Sequence, residues 1–270
     1  MAVAGSGERE FADRRGPERL LTQSVNFSYE ADMQGPDSAR TDPARPRVVV
    51  VGMGGLGCPI AVTLAEAGVD LVLIDDDRVE LSNLQRQVLF GTPDLGRLKL
   101  EVAAERLAER YPDVRVETRA GRLAADNADV LLAGADLVID ATDDPGARFV
   151  VNDWALAHAI PAVIGGVHRF QGMVLAHAGR GPCFRCLFEE EGPAVESCAV
   201  GGVLGAMAGL VGHLQAERAI ALLGAAPAAV TGFVTTLDGL GGRMRDVPLP
   251  DGCEVCTRAT ESAAARELAA

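Results

Sequence analysis

Apolar positions along this chain fall into short unbroken runs separated by stretches with helical spacing. RVVVV at Arg47–Val51 is the first run, and Val69 to Ile74 the second. Further runs at Val114 to Thr118, Asp136 to Asp140 and Ala162 to Gly165 have the length and β-branched content of buried strands. Between them, Leu56 to Ala67, Arg97 to Arg110, Asn127 to Ala133 and Gly146 to Ala159 carry apolar residues at helical intervals. Strands that alternate with helices and are apolar throughout predict a parallel sheet covered on both faces. The rhythm changes after Gly166. A strand is expected over Gln171–His177, a long glycine-broken helix over Gly202–Leu223, a strand over Val230–Leu237 and a frayed tail over Glu261–Ala270. Residues 1–45 hold scattered glycines, prolines and charges without clean periodicity, and read as an irregular arm with a short helix near Glu18 to Val25. The expected organisation is therefore an arm (1–45), an α/β core (46–166), an extension of the same domain (167–260) and a tail (261–270).

Composition narrows the chemistry. The 270 residues carry a net charge of −13, which argues against a general nucleic-acid binder but leaves room for a small phosphate site with a few local cations. The longest apolar stretch, Ala199 to Leu214, is interrupted by five glycines and a histidine and does not predict a membrane span. No apolar signal core opens the chain, so a cytoplasmic location is expected, and six cysteines there suggest metal or catalytic thiols. Of 25 basic residues only Lys99 is lysine. A lone lysine among arginines is either chance or a position where a compact ammonium is needed and a planar fork does not serve; the second is the expectation here.

The first strand runs into GMGGLG, with Gly52, Gly54 and Gly57 in G-x-G-x-x-G spacing. Such glycines allow a tight turn and bring backbone N–H groups to a phosphate at a helix N-terminus, a Rossmann-like arrangement. Asp75 ends the second strand, where a carboxylate can hold ribose hydroxyls. The motif alone fits an NAD-dependent oxidoreductase equally well, and it is no Walker loop. The following segment, DDDRVELSNLQRQVLF, places Asn83, Arg86 and Gln87 close behind the acidic cluster on an expected short helix, with Lys99 on the next element. DATDD then puts Asp140 and Asp143 at the C-terminal end of a parallel strand. Arginine, lysine and aspartate gathered at phosphates suit phosphoryl or nucleotidyl transfer, which an oxidoreductase does not need.

On GMGGLG, SNLQRQ and DATD in this order, the chain resembles the ubiquitin-activating-like family of ThiF/MoeB/HesA adenylyltransferases, from about Arg47 to Cys256. The resemblance implies a nucleotidyltransferase that adenylates the C-terminal glycine of a small ubiquitin-fold sulfur carrier of molybdopterin or thiamine type. It implies ATP and Mg²⁺ as cofactors, a homodimer, and ATP-binding positions at Gly52, Gly54, Gly55, Leu56, Gly57, Asp75, Asp77, Asn83, Arg86, Gln87, Lys99, Asp143 and Asp144. Arg86, Lys99 and Asp143 are the implied catalytic residues, with Asp143 on Mg²⁺. Two departures stand out. The family usually has Asn where this chain has Asp144, whose extra charge either helps to hold metal or is neutral. Where relatives carry an arm arginine that reaches the partner subunit's ATP, ERLLTQ offers Thr22, with Arg14, Arg15 and Arg19 as substitutes. Sulfur is expected from a separate sulfurtransferase. Activation of a small-molecule or tRNA carboxylate, a non-catalytic binding module and an NAD-dependent oxidoreductase are the rival readings.

Cys183 and Cys186 form CFRC, and Cys253 and Cys256 form CEVC. Two C-x-x-C pairs suit a closed, structural Zn²⁺ site that ties the C-terminal region back onto the domain, an arrangement the family shares. Cys58, one residue past the glycine loop, reads as core. Cys198 is a possible covalent nucleophile, opposed by the acidic residues Glu189, Glu190, Glu191 and Glu196 around it. His158 and His213 read as packing or surface residues, His168 and His177 lack metal-ligand spacing, and Trp154 reads as core.

Overall fold

The computed structural model describes residues 45–188, 202–224 and 226–269. The arm with its expected short helix, Thr22 and the candidate arm arginines, and Cys198 with its acidic neighbours lie outside the described residues.

Among the described residues, eight strands form one sheet: β1 (Arg47–Val51), β2 (Asp70–Asp75), β3 (Val116–Ala120), β4 (Leu137–Asp140), β5 (Ala162–His168), β6 (Gln171–His177), β7 (Phe233–Asp238) and β8 (Arg243–Pro248). Their order is β3-β2-β1-β4-β5-β6-β7-β8. The pairings among the first five are parallel, and those from β5 through β8 are antiparallel. The helices are α1 (Gly57–Glu66), α2 (Lys99–Arg110), α3 (Ala128–Leu131), α4 (Pro145–His158), α5 (Gly205–Leu223) and α6 (Glu254–Ala269).

The strand side chains sort by parity, as the two-residue period of a pleated strand requires. Val48, Val50, Leu71, Leu73, Leu137 and Ile139 pack with α1, α2 and α5 on one face. Val49, Val51, Val72, Ile74 and Val138 pack with α3 and α4 on the other. Both faces of the central strands are dry, which is why their sequences run apolar without alternation. This is the expected doubly wound, mainly parallel sheet. It also puts the ends of β1 and β4, where the chain turns to opposite faces, at the switch point where open α/β sheets bind ligands.

Several boundaries differ from the sequence expectation. β3 begins two residues late, and β5 continues past its two glycines to His168. β8 carries no apolar signal: all six residues of RMRDVP are exposed at the sheet edge. The segment expected as a frayed tail lies within α6, which runs to Ala269. α5 crosses α1 closely because Gly212 has no side chain, since a Cβ there would stand 2.6 Å from Pro59 and 2.7 Å from the Leu56 carbonyl. Trp154 is half-buried rather than core: its indole N–H donates to Asp129 (2.8 Å) and its ring stacks on His158. His177 is wholly buried at the end of β6, and burial lowers its pKa to about 4, so it is neutral. Cys58 is buried as expected, and burial pushes its thiol up to about 12, which leaves it unreactive. No helix among the described residues is long and apolar enough to cross a membrane.

Candidate functional site

A cleft of about 340 Å³ opens at the carboxyl ends of β1, β2 and β4. Its lining includes Gly52, Gly54, Gly55, Leu56, Asp75, Asp77, Asn83, Arg86, Gln87, Lys99, Asp143 and Asp144. Among the sequence candidates for nucleotide binding, only Gly57 is not on that wall, and the reason is steric. A Cβ at Gly57 would stand 1.9 Å from the Gly52 carbonyl, so this glycine closes the strand–helix turn. Gly52 itself has φ +93°, which disfavours any side chain. Gly54 is different. A Cβ there would meet only the Gln87 amide, at 3.9 Å. Its bareness serves no packing; it leaves a backbone N–H open to the cleft at the α1 N-terminus, as phosphate binding requires.

The loop is held from beneath by Asp75. One carboxylate oxygen accepts from the Met53 N–H (2.6 Å) and the other from the Asp77 N–H (2.7 Å). Burial raises the Asp75 pKa, an effect opposed by Lys99 and by these two amides. Lys99, the first residue of α2, is 4% exposed. Its ammonium lies 2.7 Å from Asp77 and 4.0 Å from Asp75. Asn83 closes a single 3-10 turn, Leu81–Asn83; Arg86 follows it in turn conformation and Gln87 in irregular backbone, rather than on a helix. The Asn83 side-chain carbonyl accepts from Arg86 Nη2 (2.8 Å), which ties the guanidinium to a neighbour that also lines the cleft. Gln87 is 2% exposed, and its Oε1 has no hydrogen-bond partner among the described residues.

Asp143 is exposed at the cleft rim, and its carboxylate makes no hydrogen bond among the described residues. Asp144 is engaged. It caps α4, accepting from the Gly146 N–H (2.9 Å) ahead of Pro145 at the first helical position, and it pairs with Arg122 (2.6 Å). Partial burial raises its pKa, but Arg122 and the amides of Gly146 and Ala147 outweigh this and hold the carboxyl below its usual range. A depressed carboxylate stabilises the fold above its unfolded pKa, and that contribution is lost as pH falls through the folded value. Asp144→Asn keeps the acceptor and is expected to change stability by less than about 0.5 kcal/mol at pH 7, whereas Asp144→Ala should cost ~1 kcal/mol. Urea unfolding at pH 7 and pH 3 checks this, with the Ala deficit shrinking at the lower pH.

Sequence reasoning missed Arg148, Thr142 and Arg122, all on the cleft wall. One signal was available for Arg148. A cation in the first turn of a helix opposes the dipole, and a local rule broken without evident gain often marks a site.

The four cysteines of the two C-x-x-C pairs meet on the outside of α4, with all four sulfurs within 4.8 Å of one another. Cys183–Cys253, Cys186–Cys256 and Cys253–Cys256 sulfurs are 3.8, 3.7 and 3.8 Å apart. A cation ~2.3 Å from each of four tetrahedral sulfurs would space them ~3.8 Å apart. The Cys183 and Cys253 N–H groups donate to Cys186 and Cys256 sulfurs (3.3 and 3.1 Å), as suits thiolates. The cluster packs on Leu156 of α4. Asn152 and Asp153, also on α4, hold Phe184 N and the Arg185 guanidinium. The residues fit a closed metal site that ties α6 to α4.

The ThiF family model matches residues 36–256. The chain is 43% identical over 216 residues to the SAMP-activating enzyme E1 of Haloferax volcanii, covering 78% of this chain and 80% of that one. It is 41% identical over 223 residues to a sulfur carrier protein adenylyltransferase of Thermus thermophilus (78% and 82% covered). It is 38% identical over 215 residues to the sulfur carrier protein ThiS adenylyltransferase of Escherichia coli (78% and 85% covered). Among solved structures, E. coli MccB with ATP superposes with a TM-score of 0.67 at 23% identity, over 78% of this chain and 66% of that one, a likeness of fold.

Proposed function

The chain belongs to the ThiF family, and from that premise we propose that it is a nucleotidyltransferase that uses ATP to adenylate the C-terminal glycine of a small ubiquitin-fold sulfur carrier. The observation that carries this reading is the single cleft in which the open Gly54 backbone, Arg86, Lys99 and Asp143 converge. Two of the relatives named above are sulfur carrier protein adenylyltransferases by name, and the chain covers more than four fifths of each.

In this reading the ATP phosphates lie on the glycine loop and the ribose lies beside Asp75. The carrier's terminal carboxylate attacks the α-phosphorus, a P–O bond forms, and the bond to the β-phosphate breaks with its electron pair leaving on pyrophosphate. Arg86, tied to Asn83, and Lys99, drawn from Asp77, neutralise charge that grows on the phosphate oxygens. Asp143, free at the rim, would hold Mg²⁺, which supplies further neutralisation on the departing pyrophosphate. Zn²⁺ is the metal that four cysteine thiolates at this spacing suit, with a structural role because no ligand position stays open. Residues 46–166 serve as the nucleotide-binding core and 167–260 as the carrier-binding and metal-tied extension. The reading includes a second copy of the chain as partner, a separate sulfurtransferase acting on the adenylate, and a cytoplasmic setting.

The test is ATP–pyrophosphate exchange with a ubiquitin-fold carrier protein ending in Gly-Gly. Exchange should depend on the carrier and vanish when its last glycine is removed. Exchange supported instead by free amino acids or by tRNA would favour a different carboxylate, and none with any of these would sink the adenylation reading.

A further inference from the structure

Two cleft cations have no role in the mechanism above: Arg122, which pairs with Asp144, and Arg148. Arg148 is the fourth residue of α4, at the positive end of the helix dipole, where a guanidinium is disfavoured unless something holds it. What holds it is Asp140, the last residue of β4, which is 0% exposed. Arg148 Nε lies 3.4 Å from Asp140 Oδ2, and neither atom has a hydrogen-bond partner among the described residues. Asp140 Oδ1 accepts from the Thr142 hydroxyl (2.8 Å), and the Thr142 carbonyl accepts from Arg148 Nη2 (3.3 Å).

Two glycines of β5 make this possible from opposite faces. A Cβ at Gly165 would stand 2.2 Å from Gln215, whose amide N–H reaches the Asp140 carbonyl at 2.6 Å. Arg148 lies over Gly166, where a Cβ would meet its Cζ and Nη1 at 3.4 Å. Asp140 is thus fixed by Gln215 on one side and carries Arg148 on the other. A guanidinium has five N–H donors, and Thr142 uses one of Arg148's. Its Nε is buried against Asp140, and Arg148 lines the cleft that it shares with Gly54, Arg86 and Lys99. In the sheet order, Asp75 and Lys99 stand on the β2 side of the glycine loop and Arg148 on the β4–β5 side. A nucleotide whose ribose meets Asp75 leaves the β4–β5 side to the second substrate.

We propose that Arg148 binds the carboxylate of the carrier's terminal glycine, holding one oxygen while the other attacks the α-phosphorus, and that Asp140 is its positioning residue. The inference rests on the adenylation reading above. The bond forms between carboxylate oxygen and phosphorus, the pyrophosphate departs with the electron pair, and no proton moves. A planar fork matches a carboxylate, which is the reason for arginine here and lysine at position 99.

The experiment compares three probes on the full chain by calorimetry: ATP, AMP, and adenosine 5′-sulfamate acylated with Gly-Gly, a stable mimic of the adenylate. The wild type should bind the acylated mimic more tightly than AMP. Arg148→Met should weaken the mimic roughly 10–100-fold, as for loss of a charged hydrogen bond, while ATP affinity stays within twofold. Asp140→Asn should weaken the mimic less and again spare ATP, whereas a merely structural role would move both ligands or neither. Arg148→Lys, which keeps the charge and loses the fork, should fall between wild type and Arg148→Met, and guards against a Met variant that does not fold. Unchanged mimic affinity in the folded variants, or equal losses for mimic and ATP, would overturn the assignment while adenylation stands. A wild type that binds neither ATP nor the mimic would overturn the adenylation reading and this inference with it.

Discussion

Lys99→Arg should cut carrier-dependent ATP–pyrophosphate exchange ~10²–10³-fold, the usual loss for one misplaced donor at a developing charge, and leave the fold intact. Lys99 is the only lysine in the chain, and it is 4% exposed at the start of α2. Its ammonium sits between Asp77 at 2.7 Å and Asp75 at 4.0 Å. Arginine keeps the charge that offsets these two carboxylates, so the loop anchored by Asp75 should survive. A guanidinium is planar and larger than an ammonium, and in so enclosed a place it cannot swing from Asp77 to a phosphate without displacing the wall. Lys99→Ala should lose stability as well as rate, because it leaves two carboxylates facing each other in a partly buried site. Thermal melting separates the two variants, and exchange rates measure the catalytic loss. A Lys99→Arg protein exchanging at the wild-type rate would remove Lys99 from the mechanism.

Cys183→Ser, or extraction of metal with a strong chelator, should lower the melting temperature by about 10 °C, on the order of 4 kcal/mol for a domain of this size. Cys183 is fully buried, and burial pushes its thiol well up, so only a bound cation makes its thiolate favourable. The four sulfurs close a loop of about seventy residues between the two C-x-x-C pairs, and the cluster packs with Leu156 of α4. Losing the metal therefore frees α6 and loosens the knuckle on α4. Metal content should fall from one zinc per chain to near zero in the variant, while the distant nucleotide cleft keeps ATP binding. Reduced wild-type protein that carries no zinc by elemental analysis would defeat the assignment.

The sequence alone determined whatever depends on neighbours along the chain. The strands Arg47–Val51 and Leu137–Asp140 announce themselves because burial on both faces demands an unbroken apolar run. The glycine loop and the paired C-x-x-C units are legible because a turn and a metal knuckle each need particular residue types at fixed spacing, whereas the short helix expected through Arg86 and Gln87 is only a 3-10 turn at Leu81–Asn83. β8 was not legible, because an exposed edge strand buries nothing and so leaves no apolar signature. The tertiary structure alone decided what depends on residues far apart. That Asp144 is a cap paired with Arg122 follows from two loops meeting over the cleft. That Gln215 crosses Gly165 to hold Asp140, 75 positions away, follows from α5 packing on the sheet. That Arg148 is a site residue follows from a buried carboxylate under it, and periodicity cannot report this, because it records which face a residue occupies and not which charge waits on the other side.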